Sequence, residues 1–214
     1  MERFPGKQGK FARSWTAMGN RNTVEERSHD MRKEEITEFL GKNIEPLPPS
    51  QFYGASYRTS VTLKDGLHLP CVVFQSASRI VDLAIKRFDE TRENKTSNII
   101  QDYRSIVQNF VAAGNTLNDY DVCEIGNSPF AIPLARMKEI RGETSMSWTA
   151  FTAVMNDGKE FQFGTTFLME FFEMPDGYTA SDIQKIIPAA PLEKRSTGKI
   201  YRERPFFTCY IDGI

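Results

Sequence analysis

Histidine and cysteine are scarce in this chain, with two and three respectively among 214 residues. His29 and His68 are too few for the His-rich or Cys2His2 sites that hold a transition metal, so no metal site is expected from them. Cys71, Cys123 and Cys209 are widely spaced, which gives no disulfide framework and points to a reducing, cytoplasmic compartment. Each lies among apolar or β-prone neighbours (Pro-Cys-Val-Val, Val-Cys-Glu-Ile, Thr-Cys-Tyr-Ile), where a free thiol packs as a small hydrophobe. Cys71 and His68 are three apart on one expected strand and so face opposite ways, which leaves Cys123 with His68 as the Cys/His combination still open.

Other absences narrow the function further. There is no Gly-x-Ser-x-Gly elbow, no Gly-x-x-x-x-Gly-Lys-Ser/Thr loop and no Gly-x-Gly-x-x-Gly turn, which argues against serine hydrolysis, nucleotide hydrolysis and dinucleotide redox chemistry. No cofactor and no catalytic residue are therefore expected. No run of about 18 apolar residues occurs, so no membrane helix is expected. The first twenty residues also lack the apolar segment of a secretory signal. Lys and Arg number 27 against 28 Asp and Glu, so the net charge of −1 gives the chain as a whole no pull toward nucleic acid or acidic lipid.

Charge is nevertheless unevenly placed. Residues 1–23 hold Arg3, Lys7, Lys10, Arg13 and Arg21 against the acid Glu2, with Phe4, Phe11 and Trp15 between them. Three glycines, Pro5 and no apolar period mark this stretch as a flexible or partner-ordered arm. Its cations can neutralise phosphates while its rings stack on bases, or the rings can anchor on another protein. Arg3, Lys7, Lys10, Phe11, Arg13, Trp15 and Arg21 are the binding residues that the sequence nominates.

Thr23 and Glu26 have the spacing of a capping box, which predicts a helix over 24–40 stopped by Gly41. Its apolar stripe is thin, so it is expected to lean on the domain. Pro46, Pro48 and Pro49 read as a stiff linker. From Tyr57 to Leu63 apolar and polar residues alternate as in a half-buried strand, with Arg58, Ser60 and Thr62 on the wet side. Asp65-Gly66 then signals a hairpin, and Pro70 on the return strand (67–74) favours an edge or a bulge. Two amphipathic helices follow, one on Val81, Ala84, Ile85 and Phe88, the other on Ile99, Tyr103, Ile106, Val107 and Phe110. Residues 122–125 read as a short strand and 133–140 as a short helix stopped by Gly142.

A second hairpin is written as strand 146–155, the turn Asn156-Asp157-Gly158 and a long return over 159–174. Phe161, Phe163, Phe167, Met169 and Phe171 share one face of that return; Leu168 and Phe172 on the other offer a partner or dimer contact. Thr179 to Asp182 reads as a cap for a helical turn reaching Ile187, residues 188–199 as a loop, and 200–211 as a last strand broken at Pro205. The expected fold is α+β: a mainly antiparallel sheet built from two Asp-Gly hairpins with helices packed on one face, plus the basic arm. Its divisions are 1–23 (arm), 24–50 (charged helix and Pro-rich linker) and 51–214 (core).

Carboxylates are the plentiful catalytic material. Asp119 and Asp121 share a loop with Glu124 and suit a hard cation; Asp157-Gly-Lys159 and Glu93-Asn-Lys95 match half of a nuclease motif. The leading expectation is a non-catalytic interaction protein whose partner is another protein, with nucleic acid as the alternative partner through residues 1–23 and self-association left open. The rival is a cation-dependent phosphodiester enzyme.

Overall fold

The computed structural model describes residues 30–50, 54–93, 107–108, 114–144, 147–166, 168–189 and 198–214. The basic arm, Thr23 with its capping box, His29, Asn94 and Lys95, Phe167 and every residue of the 99–110 stripe but Val107 lie outside them. In chain order the elements are α1 (Lys33–Asn43), β1 (Pro46–Ser50), β2 (Gly54–Leu63), β3 (His68–Ser76), α2 (Ala77–Arg92), β4 (Thr116–Leu117) and β5 (Val122–Asn127). There follow a short α3 (Leu134–Met137), β6 (Thr149–Met155), β7 (Glu160–Thr165), β8 (Ile183–Pro188), β9 (Ile200–Arg202) and β10 (Phe207–Ile211). This is a mixed α+β fold, and among the described residues no helix is long and apolar enough to cross a membrane.

Both Asp-Gly turns form, with Gly66 and Gly158 in the left-handed region that an L side chain resists (φ 84° and 83°). They do not, however, build one antiparallel sheet. The first hairpin, β2–β3, belongs to a mixed sheet in the order β1-β2-β3-β10-β4, with β5 beside β1 on the same edge of β2. β10 runs parallel to both β3 and β4. The second hairpin, β6–β7, sits in a separate sheet in the order β8-β6-β7-β9, where β9 is parallel to β7. The last strand expected over 200–211, with its break at Pro205, explains the mixture. It divides there into β9 and β10, one in each sheet, and strands that arrive by long connections rather than tight turns can pair in parallel.

The first core is α1 against one face of the mixed sheet. Ile36 and Leu40 are fully buried with Val61, Val72, Phe74, Ile125, Cys209 and Ile211, each large aliphatic contributing roughly 1.5–3 kcal/mol. The helix begins at Lys33, where the Arg32 amide donates to Glu35 Oε2 at 2.8 Å, and it runs past Gly41 to Asn43. It is thus part of the core rather than an appendage. The Pro-rich stretch is not a linker either. Pro46–Ser50 pairs with β2 as β1, and an edge strand tolerates residues that lack a ladder donor. Pro70 falls where β3 has not yet met β10, whose register starts opposite Val72.

The other face of the mixed sheet is covered as well. Cys71 and Val73 pack there with Phe171, Phe130 and Phe206. That is why Arg58 and Ser60, which alternation places in water, are buried. A further core fills one face of the second sheet: Phe151, Ala153, Met155, Phe163, Ile183 and Ile186, closed by Ile132, Phe172 and Ala180. Phe151 stacks on Phe163 at 5.4 Å between centroids, and Phe172 meets both edge-on.

The expected long return strand ends at Thr165, so Phe171 and Phe161 serve different cores, and Phe172 is buried while Leu168 is exposed. Thr179 does cap a turn, Ala180–Asp182, but the chain then extends as β8 instead of continuing helically. α2 departs most from expectation: its stripe of Val81, Ile85 and Phe88 is about half exposed (55%, 55% and 48%) rather than packed on a sheet.

Candidate functional site

α3 and the residues after it are fixed by their apolar side. Pro133 precedes the first turn, its carbonyl accepting from the Arg136 and Met137 amides, and Met137 and Ile140 pack on the second core. With those two turned inward, Arg136, Lys138, Glu139 and Arg141 line an open groove against Gln184, Lys185, Ile186 and Pro188 of β8. The groove holds about 1050 Å³ and carries four cations to one carboxylate.

That carboxylate is fully engaged. Glu139 Oε2 accepts from the Ile186 amide at 2.7 Å, and Oε1 accepts from Arg136 Nη1. The backbone donor first, then the Arg136 bond and charge and the Lys185 charge, hold its carboxyl below the ordinary carboxylate value. Two consequences follow. β8 is an edge strand, and Glu139 blocks its outward amide while Pro188 offers none, so another strand cannot easily add here. Among the described residues Arg136 is also the only groove cation with an ion-pair partner, which leaves Lys138, Arg141 and Lys185 to face solvent in one concavity.

β8 joins this groove to the outward face of the second sheet. Along β6 burial alternates, with Phe151, Ala153 and Met155 inside and Ala150, Thr152 and Val154 half-buried on the other side. Register then sets the outer rows. Lys185 opposes Val154, Ile187 opposes Thr152, Gln162 stands between Thr152 and Ile200, and Gly164 between Ala150 and Arg202. The Trp148 ring occupies the space where a Cβ of residue 164 would stand, with the Arg202 guanidinium 4.8 Å from its ring centroid.

The residues nominated from the sequence fare differently. Arg3, Lys7, Lys10, Phe11, Arg13, Trp15 and Arg21 all lie outside the described residues. Asp119 and Asp121 bracket a single 3-10 turn, where Asn118 Nδ2 donates to Asp121 Oδ2 at 3.3 Å. Asp157 accepts from the Tyr178 hydroxyl at 2.6 Å, and Lys159 Nζ lies 3.0 Å from that hydroxyl and 3.3 Å from Asp157, closing a surface clasp over the hairpin tip. The Tyr178 bond, then the Lys159 amide and ammonium, lower the Asp157 carboxyl. Among the described residues no three His, Cys, Asp or Glu side chains converge as a metal site would need. His68 bonds Thr62 through Nδ1 at 3.2 Å on the surface. Burial raises the thiols of Cys71, against the pull of nearby Arg204 and Ser128, and of Cys209, pushed up to about 12. Neither is poised as a nucleophile.

The groove itself was missed in the sequence. Its signal was the run Arg136, Lys138 and Arg141 at the end of an amphipathic turn, and Gln184-Lys185 interrupting the isoleucines of a strand. Compared with known proteins, the chain matches no family model, no curated protein and no solved structure.

Proposed function

We propose that the protein is a non-catalytic interaction protein that captures an anionic macromolecular partner in the groove between α3 and β8. The basic arm, through Arg3, Lys7, Lys10, Phe11, Arg13, Trp15 and Arg21, adds a second contact to the same partner. One observation carries the reading: a chain of net charge −1 concentrates four cations in one groove and ties its one carboxylate to the backbone. Such a surface attracts anions while costing the fold little, because its cations are not needed for packing.

The test is binding of heparin, polyglutamate and oligonucleotides to the full chain and to a variant carrying Lys138→Glu, Arg141→Glu and Lys185→Glu. Reversing three contact charges is expected to weaken binding at low salt by a factor on the order of a hundred or more and to flatten its salt dependence. Circular dichroism and melting should stay close to those of the parent. Unchanged affinity would refute the groove. Deleting residues 1–23 should also weaken capture while leaving the melting transition in place; a large loss of stability would make the arm structural. For the rival phosphodiester chemistry, incubation of labelled DNA and RNA with magnesium or manganese should give no cleavage.

A further inference from the structure

We infer that the partner is a single-stranded nucleic acid, and that it runs from the groove diagonally over the outer face of the second sheet to a base-stacking position at Arg202 and Trp148. The inference rests on reading the groove as an anion site and adds the ligand class and a second contact surface.

Three features point there. First, the outer face meets the groove: Lys185 belongs to both, and Ile187 and Ile200, at the two ends of the row after it, are each 41% exposed. Second, the face carries small side chains at its centre, where Ala150 and Thr152 stand on β6. Strand spacing of about 4.8 Å and a rise of about 3.4 Å per residue put Lys185 and Arg202 roughly 20 Å apart along the diagonal. That span suits a few nucleotides of extended strand. Glu160, at the hairpin end beside Val154, lies off that diagonal.

Third, Gly164, Trp148 and Arg202 form a layered stack that is unfinished on its outer side. The indole rests on the Gly164 backbone, the guanidinium covers the indole, and the Arg202 side chain is still 55% exposed. The Glu203 carboxylate lies 3.9 Å from its Nε. Planar guanidinium groups and indoles are the surfaces on which unpaired bases stack. A duplex keeps its bases within its own stack, and an acidic peptide meets only the charge of Arg202, so neither uses the plane that the stack presents.

The experiment uses the full chain carrying Trp15→Phe, which leaves Trp148 as the sole tryptophan, and every affinity is compared within that background because Trp15 belongs to the arm contact proposed above. Its emission is followed on titration with a single strand of about 16 nucleotides, enough for one or two such surfaces, then with the matching duplex, heparin and polyglutamate. The single strand should bind about tenfold more tightly than the duplex and change the emission of Trp148, whose ring lies against the guanidinium that the base engages. Arg202→Ala and Arg202→Lys should both lower single-strand affinity by roughly tenfold, the size of one lost stack, while heparin binding changes far less. Undiminished single-strand affinity of Arg202→Lys, or single-strand binding that leaves the emission unchanged, would overturn the stacking site. If heparin and polyglutamate bind through the groove but the single strand is no better than the duplex, this inference fails and the groove stands. If no polyanion binds, both fail.

Discussion

Adding one methyl group at Gly164 tests whether the indole really lies on the sheet. A Cβ built there falls 2.1 Å from Trp148 Cζ2 and 2.8 Å from Cε2 and Cη2. Non-bonded carbons rest at about 3.5–4.0 Å, so the ring must retreat by more than an ångström. Gly164 is not among the glycines at positive φ, and its backbone accepts alanine without strain. In the absence of the indole, Gly164→Ala would therefore stabilise by about 0.4–1 kcal/mol, because it reduces the freedom of the unfolded chain. Overpacking against a rigid ring instead costs about 1–3 kcal/mol. The two accounts differ in sign. For a chain of this size the clash lowers the melting temperature by roughly 2–12 °C, whereas its absence raises it slightly. Thermal melts of Gly164→Ala, of Trp148→Ala and of the double variant decide the matter, with tryptophan emission read in the Trp15→Phe background. In the double variant the alanine at 164 should be neutral or stabilising. A melting point in Gly164→Ala at or above the parent's, with unchanged emission, would refute the stack and with it the geometry on which the base-stacking inference depends.

Further expectations follow from other residues. Glu139→Ala strips the groove of its carboxylate and frees the Ile186 amide, so polyanion affinity should rise several-fold and self-association, followed by light scattering, should increase; lower affinity would contradict the assigned charge balance. Ile36→Ala and Leu40→Ala should each cost about 2–5 kcal/mol in urea melts, as fully buried core positions do, whereas a helix merely leaning on the domain would lose far less. Burial raises the Glu170 carboxyl above its ordinary 4.5, with Arg58 opposing weakly, so the native state holds that proton more tightly than the unfolded chain. Its contribution is full below pH 4.5 and is lost as the pH rises through the native value; Glu170→Gln should abolish that falling slope in stability. Asp157 has the opposite sign: its lowered carboxyl stabilises above its ordinary 3.8 and is lost as the pH falls, so Asp157→Asn should flatten the acid limb of the curve.

Local chemistry was legible in the sequence; partnership between distant segments was not. Gly66 and Gly158 announce their turns because the required φ is a property of one residue. The β5 strand and the turn capped by Thr179 were likewise written within a few residues. Alternation along β2 was read correctly as a strand, yet it could not reveal that Phe171, Phe130 and Phe206 arrive to cover the side bearing Arg58. Buried on that side, the Arg58 guanidinium finds the Glu170 carbonyl at 3.3 Å, and desolvation draws its pKa down to about 10. The prolines of β1 looked like a linker because nothing local says that a strand edge lies waiting beside them. Periodicity in α2 identified an apolar stripe but not what, if anything, would cover it.

The candidate site shows why the gap falls where function does. Arg136, Lys138 and Arg141 sit close in sequence, but their meaning depends on Lys185, nearly fifty residues later, and on Glu139 being spent on the Ile186 amide. Arg202 is later still, and it reaches Trp148 only because β9 joins β7 in a register that sets it beside Gly164. A slip of one residue in β8 or β9 would turn Lys185 or Arg202 toward the core, where an unpaired cation would cost several kcal/mol. The same burial of Phe151, Phe163 and Ile186 that stabilises the second sheet thus fixes the register, and the register, rather than any motif, aims the cations outward. A binding surface of this kind is a by-product of strand pairing that the core enforces.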